Sequence, residues 1–64
     1  MASWEPALRA AVTRSAEGRD TIERIDHDKK LIVIKSDVTN PLLLRTIEEA
    51  VKRVASGYKV VQLT

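Results

Sequence analysis

The single histidine of this 64-residue chain, His27, stands between Asp26 and Asp28. An imidazole flanked by two carboxylates is the raw material of a general base or of a metal ligand set. Neighbouring residues of a tight turn point in different directions, however, and such a site needs several convergent groups. The segment is therefore expected to be a hydrophilic hairpin turn in which His27→Ala changes little. Ser3, Ser15, Ser36 and Ser56 have no histidine or lysine set beside them by a nucleophile motif, and read as caps and turn residues. With no cysteine, a disulfide framework, a thiolate zinc site, an iron-sulfur cluster and a cysteine nucleophile are excluded. Two glycines in total exclude a glycine-rich phosphate loop. No catalytic residue, metal ligand or cofactor is expected, and a sheet of this size rarely encloses a substrate pocket. The chain reads as a non-enzymatic protein.

Basic residues offer the other chemistry. Arg9, Arg14, Arg19 and Arg24 recur every five residues and Lys29 continues the count. On a helix a step of five turns by about 140°, so these side chains scatter instead of forming a stripe. Eleven Lys and Arg against nine Asp and Glu leave a net charge of +2, without a run of five like charges. That pattern is a solvated surface more than a polyanion-binding tail. A small nucleic-acid-binding or regulatory protein, with Arg9, Arg14, Arg19 and Lys59 as phosphate contacts, is the alternative reading. Base stacking would have only Tyr58 in the sheet, since Trp4 falls on a helix, and both rings are expected to pack.

Five elements must position these groups. From Ser3 to Ala16, Trp4, Leu8, Ala11, Val12 and Ser15 recur at helical spacings, with Ser3 as cap, Pro6 in the first turn and Gly18 as the stop. Thr21 to Lys35 reads as a β-hairpin turning through Asp26 to Lys30, where Asp side chains can bond backbone N–H groups. Leu31 to Ile34 has no polar alternation and is expected to be the central strand. Thr39-Asn40-Pro41 starts a second helix running to about Ser56, which buries Leu43 or Leu44, Ile47, Val51 and Val54. Glu48 with Lys52 and Glu49 with Arg53 are spaced for ion pairs on its outer side. Gly57 ends it, and Tyr58 to Leu63 forms a last strand, parallel to the middle one by a right-handed crossover. The expectation is a single α+β domain over residues 1–64, helix-strand-strand-helix-strand, with a three-stranded sheet and two helices on one face.

The stretch Ile25-Asp26-His27-Asp28-Lys29-Lys30 leading into Ile32-Val33-Ile34, then Asp37-Val38-Thr39-Asn40-Pro41, Ile47-Glu48-Glu49-Ala50 and Gly57-Tyr58-Lys59-Val60, carries a family likeness. Together these residues resemble the later two thirds of a heavy-metal-associated domain, the ferredoxin-like module of copper chaperones and metal-transporting ATPases. They are turn, cap and core positions, so the resemblance implies a truncated ferredoxin-like fold. The family's first strand and its loop of two cysteines separated by two residues have no counterpart before Trp4, so metal binding is not implied. In the family that strand lies between those corresponding to Leu31 to Lys35 and Tyr58 to Leu63. Here the two either close directly on each other, or a strand from a partner fills the slot. The element order also resembles, by topology alone, the ring-building motif of secretion-system and sporulation proteins.

The chain is 44% hydrophobic, and at this length only about 60% of the unfolded surface can be buried. If Ile32 and Ile34 face the helices, alternation sends Leu31 and Val33 to the other side, where Val61 and Leu63 lie beside them. Such a patch marks an interface. Burying ~500 Å2 of it contributes about 12 kcal/mol before the entropic costs of association. The expected function is a small protein-interaction module, a homodimer or a binder of a protein partner, through Leu31, Val33, Val61 and Leu63. The longest apolar run is four residues and the N-terminal segment is charged, so a membrane span and a signal peptide are not expected and the expected location is cytoplasmic.

Overall fold

A computed structural model of the protein describes residues 4–63. The elements are α1 (Glu5–Ser15), β1 (Ile22–Asp26), β2 (Leu31–Ile34), α2 (Pro41–Val54) and β3 (Lys59–Gln62). The sheet order is β1-β2-β3, with β1 antiparallel and β3 parallel to β2. This is the expected helix-strand-strand-helix-strand α+β fold with an open mixed sheet. The strands on either side of the family's missing strand close directly on each other, Ile32 opposite Val60 and Val33 opposite Val61. A partner strand therefore has no slot to fill between them.

Local chemistry explains where the elements begin and end. The Asn40 side chain accepts a hydrogen bond from the Leu42 N–H at 2.9 Å, and Pro41 sits in the first turn, where a missing N–H costs nothing. Trp4 occupies the cap of α1 without a side-chain cap bond, and the expected Ser3 cap lies outside the described residues. After each helix the chain reverses through a glycine at positive φ, Gly18 at 90° and Gly57 at 98°, a conformation in which any other side chain is strained. In the hairpin Asp26 Oδ1 accepts the Lys29 N–H at 3.0 Å, and Lys30 takes the left-handed conformation that closes the turn. That backbone bond foremost, with Arg24 adding to it against partial desolvation, holds the Asp26 carboxyl below its usual range. Ionised Asp26 thus favours the closed turn, and the effect is lost on acidification through its folded pKa.

Both helices lie on one side of the sheet and pack on each other. Leu8 and Val12 of α1 join Ile47, Ala50 and Val51 of α2 and Ile22, Ile32 and Ile34 of the sheet in one core, closed at the side by Val38 and Ala55. The ladder shifts between Ile22 and Arg24, which makes Glu23 a bulge. Ile22 and Ile25 are three apart and would otherwise face opposite sides; the bulge turns both toward the helices, opposite Ile34 and Ile32. Leu43 and Leu44 are both half-buried, whereas Leu42 at 75% exposure stands alone on the first turn of α2. The Glu48–Lys52 and Glu49–Arg53 pairs expected from spacing are not among the ion pairs formed by the described residues, which join other partners.

Candidate functional site

His27 is where the structure departs most from the sequence reading. Its Nδ1 lies 2.9 Å from the Tyr58 hydroxyl and its Nε2 3.3 Å from Glu5 Oε1. A neutral ring with the proton on Nε2 donates to Glu5 and accepts from Tyr58, so every member of the chain is satisfied. The three rings of Trp4, His27 and Tyr58 meet edge to face, with centroids 5.0 Å apart for Trp4–Tyr58, 5.7 Å for Trp4–His27 and 5.9 Å for His27–Tyr58. The hairpin turn is thus tied to the start of α1 and to the loop before β3. His27 lies in the hairpin turn as expected, but its ring and the Tyr58 hydroxyl are partnered across the fold, contacts that the sequence reading did not anticipate.

A carboxylate, an imidazole and a hydroxyl in line have the order of a proton relay. The cluster remains partly exposed, and the described residues hold no group of three or more metal-ligating side chains. What it visibly does is fasten three segments. Replacing His27 by alanine is expected to cost about 1 kcal/mol from two partly wet hydrogen bonds and the edge contacts. His27→Phe should recover the ring contacts alone, and urea unfolding of the three chains separates the two contributions. An unchanged midpoint for His27→Ala would show that the cluster fastens nothing.

The opposite side of the sheet carries the residues expected to make an interface. Leu31, Val33, Val61 and Leu63 lie away from the core, and Arg24, Asp26 and Lys59 share that side by alternation and register. Val61 is 38% and Leu63 44% exposed, while the half-buried Leu31 lies opposite Lys59 at the other end of the ladder. Val33 corrects the expectation: on the central strand between Arg24 and Val61, it is only 4% exposed and offers little to a partner. An Arg24–Asp26 ion pair at 3.5 Å borders the patch along β1.

The basic residues are not brought together. Arg9 reaches Asp20 at 3.7 Å and Arg19 bonds Asp37 at 2.7 Å, each charge already facing a carboxylate. Arg14 is in the last turn of α1, while Lys59 lies on the far side of the sheet. Between α2 and β3 runs a cleft of about 300 Å3 lined by Glu48, Val51, Lys52, Tyr58, Lys59 and Val60, which the sequence reading missed. Its floor is apolar and its rim carries both signs of charge. No helix among the described residues is long and apolar enough to cross a membrane.

No family model matches the chain, and neither a curated protein nor a solved structure matches it significantly. The likeness to a heavy-metal-associated domain therefore holds at the level of an α+β fold, without a family identified.

Proposed function

We propose that the chain is a small non-enzymatic protein-interaction module that associates with a second copy through its open sheet. The observation that carries this is the pair Val61 and Leu63, both exposed on the side away from the helices, Val61 on β3 opposite Val33 and Leu63 just past its end. In a domain this small, apolar surface left outside a single core is most readily buried by association. The nucleic-acid reading has less support, because Arg9 and Arg19 are engaged with carboxylates and Arg14 and Lys59 stand apart.

Sedimentation of the full chain across the micromolar range tests the proposal. The expected result is a concentration-dependent dimer that Val61→Lys shifts to monomer, since a charge then replaces apolar contact on the edge strand. A chain that stays monomeric throughout, or a dimer indifferent to Val61→Lys, overturns it.

A further inference from the structure

Strand β3 is an edge. Lys59 and Leu63 donate their backbone N–H groups to the Lys30 and Ile34 carbonyls of β2, at 2.9 and 2.8 Å. The strand period of two then turns the N–H and C=O of Val60 and Gln62 outward, away from the sheet. Neither a proline nor a bulge blunts this edge, which is a template for another strand. Immediately above it lies the cleft between α2 and β3, with Val51 and Val60 in its floor.

The charges on the cleft wall say which strand fits. Glu48 and Lys52 are one turn apart on α2, and neither is in an ion pair among the described residues. A two-fold axis runs the two α2 helices antiparallel and sets Glu48 of each copy toward Lys52 of the other. The surface is therefore complementary to itself, the requirement of an isologous contact. We infer that the second copy seats edge to edge, β3 antiparallel to β3 about an axis at Val60, joining the two sheets into one of six strands. The inference rests on the self-association proposed above and specifies its geometry.

In this register Val60 exchanges backbone hydrogen bonds with Val60 of the second copy, and each Gln62 N–H meets the other copy's Tyr58 carbonyl. The Val60 side chains close the two clefts against each other beneath α2. On the far side Lys59 lies opposite Val61 of the second copy, its hydrocarbon stem covering that exposed side chain. Val61→Lys then sets two lysines opposite each other, in accord with the loss expected above.

Charge reversal in the full chain distinguishes this seating from one in which the open faces stack. Glu48→Lys leaves only bases on the facing wall and Lys52→Glu only acids. Each is expected to weaken self-association about tenfold, two attractive pairs having become repulsive. Mixing the two variants should restore a dimer at close to the original affinity, now a heterodimer, and the double variant E48K/K52E should associate like the unaltered chain. Val60→Pro removes an outward N–H and should also give a folded monomer, its fold checked by circular dichroism. If the chain dimerises but ignores all of these changes while Leu31→Glu dissociates it, the faces stack, the edge seating is wrong and the proposed function stands. If the unaltered chain does not associate, both fall.

Discussion

Leu8→Ala is expected to remove a large part of the stability of this domain. Leu8 is fully buried, and with Val12 it is one of the two residues by which α1 enters the core. Truncation forfeits the transfer free energy of the lost carbons and leaves a cavity that two packed helices close only in part, about 2–5 kcal/mol in all. At about 0.05–0.15 kcal/mol per residue, a chain of this length has a total of only about 3–10 kcal/mol to lose. The variant should be partly unfolded at room temperature, with its urea midpoint near zero. Trp4, the only tryptophan, sits at the start of the same helix against Tyr58, so its fluorescence reports whether α1 stays docked. Coincident fluorescence and circular dichroism transitions mean that the whole domain melts together. A shift of the fluorescence transition alone would mean that α1 detaches from a sheet that survives without it. A destabilisation under about 1 kcal/mol would contradict the burial of Leu8 outright.

The elements were legible wherever the physics is local. Asn40-Pro41 announces a helix start because the cap and the ring act within one turn, and Gly18 and Gly57 announce reversals because only glycine takes their φ without strain. Alternation along β2 correctly separated Ile32 and Ile34 from Leu31 and Val33. It could not say that Arg24 and Val61 flank Val33 closely enough to hide it, which depends on the cross-strand partners. The bulge at Glu23 was hidden as well, its only trace being two isoleucines three residues apart that both need a core.

The ring cluster was illegible for a different reason. His27 lies 31 residues from Tyr58 and 22 from Glu5, so no spacing rule links them. One signal existed. A right-handed crossover makes β3 parallel to β2, which brings the start of β3 beside the start of β2 and hence beside the hairpin turn that precedes it. Following that register outward from Leu31 and Lys59 places Tyr58 near the turn, and a histidine in that turn is then a partner for its hydroxyl. The α2–β3 cleft needed the same step, since it forms between residues that only the crossover brings together.

A second large effect is expected with the opposite sign, at Thr21. This residue is fully buried just ahead of β1, and its carbonyl accepts the Lys35 N–H at 2.9 Å, so the backbone there is well paired. Its hydroxyl is not, for Oγ1 is buried without a hydrogen-bond partner among the described residues. A hydroxyl taken out of water without a compensating bond costs about 1–3 kcal/mol, and nothing inside the fold returns it. Valine keeps the branched shape and the strand preference while replacing the hydroxyl by a methyl group. Thr21→Val should therefore stabilise the domain by about 1–2 kcal/mol, raising the urea midpoint at constant slope. Thr21→Ser separates the possible causes. It keeps the hydroxyl and removes the methyl, so it should destabilise by about 1 kcal/mol, as loss of a buried carbon does. Destabilisation by both substitutions would instead mean that the hydroxyl has a partner in solution, a buried water bridging it to the backbone being the simplest. Stabilisation by valine alone identifies Thr21 as a cost carried by the isolated fold.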